Sequence, residues 1–438
     1  MKPKGETAKR VGNLLARKGV AEEAVVFLGL FKWVAFATLI GLATGASTAA
    51  FLKILEYLIR LHSNIPYYYV ALPAALFVNA LVLMYFQPKE NAYSGNAVIK
   101  NIHSGKSIGI ASILKAFFLP LITISAGGSG GKEAPAANVG AGIASIIGNS
   151  LHINSRDQKL LMVSGLSAGF AAVFGTPLAG AVFGVEVLFV GGLLYEALLP
   201  AIVAGIVGYQ TASFLGITYF QQSIAAPPML DAHAFVWAVA AGIFFAGCSV
   251  MLIEMNRRAR SIARGIKMWA PMKAASAGVL IVLLAVAFSD KYLGLGIATI
   301  EHALGGGGVQ WFDFILKALF TSITLNFGGI AGIVTPVVFI GATAGSFFAQ
   351  VFGLHAATFA ALGLVSVLAG TISVPIAASI MAVELFGPGI APYAMLACIV
   401  SYLGSGHRSV YASQVLASRK SSESKATIGA EVEQEGEF

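Results

Sequence analysis

Charge is what this chain has least of. Only 11% of its 438 residues are Asp, Glu, Lys or Arg, where an average soluble domain carries roughly 25%. A surface cannot be solvated on so few ions, and 57% hydrophobic residues exclude an ordinary soluble domain. Cysteine is nearly absent. Cys248 and Cys398 each lie inside an apolar run without CxxC spacing, which excludes a disulfide framework and a thiolate metal site and leaves both as small core residues. The seven histidines are scattered through the chain, so no ligand cluster is indicated. No HExxH or GxxxxGK[ST] pattern occurs, and with those motifs go the usual metalloprotease and P-loop chemistries. Neither an enzyme nor a cofactor protein is expected.

Long apolar runs are present instead. They include Ala24 to Phe51, Tyr67 to Phe86, Ile108 to Ala126, Ala234 to Ile253, Ala274 to Phe288, Ala357 to Ala369 and Ile390 to Leu403. Several are shorter than the ~20 residues of a straight crossing. Fifty glycines, about 11% of the chain against a usual ~7%, fit helices broken at membrane depth, tolerated where the freed backbone is buried or lines a watery cavity.

The first 23 residues are polar and carry Lys2, Lys4, Lys9, Arg10, Arg17 and Lys18, and a second basic cluster holds Arg257, Arg258, Arg260, Arg264, Lys267 and Lys273. Basic residues flank cytoplasmic ends of spans, so both segments, and both termini, are expected inside a plasma (inner) membrane. No cleavable signal peptide is evident. A net charge of +8 then reflects membrane topology rather than nucleic-acid binding. Expected partners are membrane lipid and a small anion.

The chain repeats itself. "GGSGGKEAPAANVGAGIAS" from Gly127 aligns without a gap on "GGIAGIVTPVVFIGATAGS" from Gly328, with seven of nineteen positions identical at an offset of 201. "PLAGAVFGVEVLF" from Pro177 and "PIAASIMAVELFG" from Pro375 match at an offset of 198, each with a Glu nine residues after its Pro. Two blocks in one order predict two related halves, 24–216 and 234–403, joined by a linker over 217–233 and followed by 404–438 as a final helix and a disordered cytoplasmic tail. Transporters commonly build a midplane site from such repeats.

In each half a glycine-rich break precedes a Pro suited to the first turn of a helix. A helix starting there aims unpaired N–H groups and a partial positive charge at whatever lies ahead. Two such starts converging would cradle an anion. The alternative is that the glycines merely allow close helix packing. Glu133 decides between the readings, because a carboxylate in hydrocarbon is costly and usually functional. At a helix start it is an anion in the anion's place, able to leave when protonated. The second copy has Val334 there.

Gly131-Lys132-Glu133-Ala134-Pro135 resembles the GREGP motif of the CLC family of chloride channels and proton/chloride exchangers, and Gly332-Ile333-Val334-Thr335-Pro336 resembles that family's GxFxP motif. "SGLSAGFAAVFGTPLAGAVFGVEVLF" and "GHRSVYASQVLASR" are similar to further family blocks. The resemblance implies an all-α polytopic membrane protein of two inverted halves with many tilted, broken helices. It also implies a homodimer in which each subunit holds its own pore, with chloride as ligand.

Carried over, Glu133 is the gating glutamate, Gly332, Ile333 and Val334 supply backbone around the ion, and Tyr411 reaches it from the cytoplasmic side. "AYSGNAV" places Ser94, with Gly95 behind it, where the family has its central serine. Lys132 for Arg keeps the attracting cation but loses the bidentate fork. Retention of Pro135 and Ser94 favours chloride over fluoride. Exchangers of the family typically carry a proton glutamate just after the Val-Glu position; here Glu186 is followed by Val187, which cannot hold a proton, and passive conduction is favoured. A secondary transporter for an organic carboxylate is the rival, but its larger substrate would need polar anchors not found in these blocks.

Overall fold

The structure is a computed structural model and describes residues 4–62, 65–86, 94–221, 224, 232–421, 423 and 426–432, with the side chains of the first helix described from Phe27. Sixteen α-helices fill the described residues. The first half holds α1 (Lys4–His62), α2 (Leu72–Tyr85), α3 (Gly95–Ser104), α4 (Ile110–Ser125), α5 (Glu133–Ser150), α6 (Ser155–Phe174), α7 (Pro177–Glu186) and α8 (Leu198–Phe214). The second holds α9 (Ala232–Gly265), α10 (Ala270–Ala287), α11 (Ile297–Leu304), α12 (Asp313–Asn326), α13 (Val334–Phe352), α14 (Ala356–Ile372), α15 (Pro375–Phe386) and α16 (Ala391–Gly404).

Among the described residues six helical segments are long and apolar enough to cross a bilayer, and others such as α4, α7, α14 and α15 are apolar but short. The short ones are affordable because neighbours cover them. Ala356 to Ile372 is buried almost throughout, whereas α10 exposes Val279, Leu280, Leu283 and Val286, apolar side chains that suit a lipid or subunit boundary. The chain is an integral multi-pass membrane protein of the all-α class.

The repeat is physical. Helices α5 and α6 cross so closely that a Cβ on Gly140 would run into the backbone of Gly165, and α13 and α14 cross the same way at Gly341 and Gly363. At these four positions the glycines serve close packing, as small residues do between membrane helices. At the helix starts they serve something else. Gly131 and Gly332 form an antiparallel bridge, with Gly131 N donating to Gly332 O at 2.6 Å and Gly332 N to Gly131 O at 2.7 Å. The two halves are thus joined back to back where α5 and α13 begin.

A second cross-link uses the other repeated block. Glu384, at the end of α15, accepts hydrogen bonds from Leu178 N at 2.9 Å and Ala179 N at 2.8 Å in the first turn of α7. Glu186, the last residue of α7, accepts from Ile376 N at 3.0 Å and Ala377 N at 2.8 Å in the first turn of α15. Each helix carries the acid that caps the other, satisfying amides that a helix start leaves unpaired.

From Lys4 onward the expected cytoplasmic segment before Ala24 is the beginning of α1, which runs unbroken to His62. The other end of the chain differs from the expectation. The stretch expected as a final helix and a disordered tail holds neither across its described part. It turns back and forms β2 (Val415–Leu416), parallel to β1 (Phe189–Val190) behind α7, and Val432 N donates to Gln414 O at 3.0 Å. Leu416, Ala426 and Val432 pack with Val190 and Tyr402 in a small core. The reason is a partner distant in sequence: β1 offers edge carbonyls and amides that a two-residue strand can satisfy without any periodicity of its own. Most of the expected linker lies outside the described residues.

Candidate functional site

Helix α5 starts at Glu133 and α13 at Val334, with Pro135 and Pro336 at the third position of each, where a missing N–H costs nothing. Lys132 and Ile333 are the residues before the first turns. The Gly131–Gly332 bridge sets these starts side by side. The Glu133 carboxylate, fully buried, reaches across it to the other half: Oε2 accepts from Thr335 N at 3.2 Å, and Oε1 from the Thr335 hydroxyl. A carboxylate therefore sits at the opening turn of α13, where an anion is favoured by the dipole and free donors. The amide of Gly332 is spent on the bridge and is not free for an ion, a departure from the role expected of it. No such bond is recorded among the described residues for the amides of Ile333 and Val334.

Three spaces adjoin this point, successive ones sharing lining residues. An inner cavity of about 150 Å³ is lined by Ser94, Gly95, Asn96, Ile333 and Tyr411, among others. A central void of about 20 Å³, room for roughly one water by volume, is lined by Gly95, Glu133, Val334, Val187, Phe170 and Tyr411. An outer cavity of about 110 Å³ is lined by Lys132, Glu133, Thr335 and Glu301 with a largely apolar wall. Tyr411 and Gly95 border both the inner and central spaces; Glu133 borders both the central and outer ones. The carboxylate is the partition between the central void and the cavity lined by Lys132 and Glu301, which is the outer one by the expected orientation.

Gly95 is required by contact. A Cβ there would stand 2.8 Å from Cε1 of Tyr411, closer than any side chain tolerates. Ser94 caps α3, its Oγ accepting from Ala97 N at 3.3 Å, and because a hydroxyl also carries a donor its proton remains available to the inner cavity. Tyr411 itself is held by its neighbours. Val410 N donates to Thr371 O at 3.1 Å, Ser413 N to Asn96 Oδ1 at 3.2 Å, and the buried Gln414 amide to Val187 O and Ile372 O, both at 2.8 Å.

The sequence reading brings Ser94, Gly95, Lys132, Glu133, Ile333, Val334 and Tyr411 to this one path, and Val187 to its wall. It does not bring Glu186 there. That carboxylate is engaged with the α15 amides, so its place is that of a cap rather than a step on the path. Missed were Thr335, whose partner is 202 residues away, and Asn96, Asn138, Asn256, Arg260 and Asn326 of the inner cavity. Thr335 lies inside the second motif and Asn96 directly follows Gly95, signals that could have been used.

A family model described as voltage gated chloride channel matches residues 74–406. The chain belongs to the CLC family. Among curated relatives, it is 34% identical over 396 residues to a "Chloride/fluoride channel protein" of Pseudomonas syringae pv. tomato, covering 87% of this chain and 86% of the relative. It is 25% identical to "Voltage-gated ClC-type chloride channel ClcB" of Salmonella typhimurium over 419 residues, covering 87% and 98%. Among solved structures, the crystal structure of a CLC-type fluoride/proton antiporter superposes with a TM-score of 0.84 at 27% identity, covering 89% of this chain and 99% of that one. A slow cyanobacterial Cl−/H+ antiporter follows at TM-score 0.73 and 18% identity, covering 85% and 94%, a likeness of fold. Membership of the CLC family means that the bridge, the two helix starts and the partitioning carboxylate belong to an anion-transport protein rather than to an enzyme.

Proposed function

We propose that this CLC protein passes a small halide through the three adjoining spaces, with Glu133 as the gate. The observation that carries this reading is the position of one carboxylate on the first turn of the opposite half's helix, dividing the central void from the outer cavity. Ionised, it fills the anion's place and closes the outer side. Protonated, it loses the charge that holds it there and the site is free for a halide. Backbone at Ile333 and Val334 with the Tyr411 ring and the Ser94 hydroxyl surrounds the ion's route. The central void, about 20 Å³ and lined mainly by apolar side chains, suits a bare ion and is too small for an organic carboxylate.

Retention of Pro135 and Ser94 supports chloride. The names of the similar proteins from P. syringae and of the fluoride/proton antiporter support fluoride as a second substrate. Passive conduction is the favoured mode, because the residue facing the central void after Glu186 is Val187 and Glu186 is held on α15. Proton-coupled exchange is the second reading, favoured by the border position of Glu133, from which a proton could pass from outside to centre. The working unit proposed is a homodimer in the inner membrane with both termini cytoplasmic.

The test is halide efflux from proteoliposomes. Chloride and fluoride efflux should rise as pH falls, and Glu133→Gln should abolish that dependence. Unaltered pH dependence in Glu133→Gln would remove the gate assignment. A reversal potential that moves with an imposed proton gradient would replace conduction by exchange.

A further inference from the structure

The loops that lead into the two helix starts are each held by the opposite half. Helices α4 and α12 end just before these loops, and Thr123 and Thr324, 201 residues apart, occupy equivalent places in their last turns. Thr123 Oγ1 accepts from Ile330 N, in the second half's loop, at 3.0 Å. Thr324 Oγ1 accepts from Ser129 N, in the first half's loop, at 3.2 Å. Ser129 and Ile330 are themselves 201 apart, and each stands two residues before a glycine of the bridge. The exchange is symmetric.

Local chemistry leaves the hydroxyls little choice. A hydroxyl has one proton to give and two lone pairs. Each proton points back along its own helix, from Thr123 to Leu119 O at 3.2 Å and from Thr324 to Phe320 O at 2.8 Å, so what faces the loops is acceptor. Each loop folds back on its own helix through main chain alone, Gly128 N donating to Thr123 O at 2.8 Å and Gly329 N to Thr324 O at 2.9 Å. Two further bonds brace the arrangement: Asn79 Nδ2 donates to Thr123 Oγ1 at 2.7 Å, and the Ser129 hydroxyl lies 2.9 Å from that of Thr321. All five of these polar residues are fully buried, where stranding an amide is costly.

We propose that Thr123 and Thr324 are positioning residues of the gate. Each carries the loop of the opposite half into the bridge, so the register in which α5 and α13 begin, and with it the reach of Glu133 to Thr335, is fixed by both halves at once. Neither threonine lines any of the three spaces; both act through backbone. The consequence for transport rests on the gate reading above, whereas the crossed hold on the loops does not.

The experiment is hydrogen–deuterium exchange of the full chain in detergent, with chloride efflux from proteoliposomes measured on the same variants. Thr123→Val, nearly equal in size, should speed exchange several-fold in 328–333 and leave 127–131 little changed, and Thr324→Val should do the reverse. Asn79 Nδ2 keeps Leu119 O in the first variant. In efflux, both variants should move the pH of half-maximal rate upward by about one unit, because the ionised, closed form of Glu133 is held less firmly and gives way to the protonated form sooner. The ionisable groups bordering the same spaces as Glu133 are Lys132, Tyr219, Glu301 and Tyr411, and neither substitution alters them. Thr123→Ser and Thr324→Ser retain the hydroxyl and should return both readouts to the wild type. Loosening confined to each variant's own loop overturns the exchange, and crossed loosening with an unmoved pH midpoint overturns the positioning of the gate. If Glu133→Gln keeps the wild-type pH dependence while the loosening is crossed, the gate reading fails and the crossed hold on the loops stands.

Discussion

At Gly95 the requirement is a hydrogen in place of a methyl group, because the Tyr411 ring lies on its Cα. Gly95→Ala must move that ring, which borders both the inner and central spaces. Halide efflux is expected to fall several-fold. The double variant Gly95→Ala with Tyr411→Ala removes the clash and should behave as Tyr411→Ala alone, since contacting residues do not act additively. Additive effects in proteoliposome efflux would show that Gly95 acts on something other than the tyrosine. Glu133 has the opposite character: its partners matter more than its size. Thr335→Val removes the hydroxyl that donates to Glu133 while leaving the amide in place. The carboxylate then loses one of two donors at a fully buried position, and a hydrogen bond to a charged group contributes about 1.5–3 kcal/mol. Ionised Glu133 is held less firmly, so efflux at high pH, where the closed form dominates, should rise several-fold in Thr335→Val and change little at low pH.

Between elements, the paired caps of α7 and α15 behave as one device used twice. Glu186→Gln and Glu384→Gln each replace a carboxylate shared by two amides with a group of one acceptor and no charge. Each should lower thermal stability in detergent, by roughly 2 kcal/mol from the charged hydrogen bonds lost. Glu186 is the more deeply buried of the two, so its variant should melt lower. Flux per folded protein should persist in both. Loss of flux in Glu186→Gln at full stability would instead place that residue on a proton route. How much of this was legible follows from sequence distance. Pro177 and Pro375, and the Glu nine residues after each, announce a repeated helix with an acid at its end. That each acid crosses to the other copy is a tertiary fact, carried by partners 190 to 206 residues away. The same holds for the bridge: its glycines are visible in both blocks, while their mutual hydrogen bonds are not.

The whole molecule closes its two halves over the path with the segment after α16. That segment reads as disordered in sequence because its apolar residues, Val415, Leu416, Ala426 and Val432 among them, have no helical or strand period, and its order comes from pairing with β1. The family motifs were legible because they concern backbone at helix starts, which glycine and proline mark locally. The inner cavity was not, since Asn256, Arg260 and Asn326 are common residues made special only by where α9 and α12 meet. Gln414 shows what the closing segment does. Its amide donates to Val187 O at the end of α7 and to Ile372 O at the end of α14, one carbonyl from each half, three residues beyond Tyr411. Gln414→Leu keeps the volume but strands two buried carbonyls, each costing about 1–3 kcal/mol when left unpaired. The expected result is a lower melting temperature together with weakened discrimination among halides, because Tyr411 is then held from one side. Gln414→Glu should be as damaging, for it exchanges the two donors for an acceptor facing carbonyls. If stability falls while halide selectivity stays intact in both variants, the clamp binds the halves together without setting the position of the tyrosine.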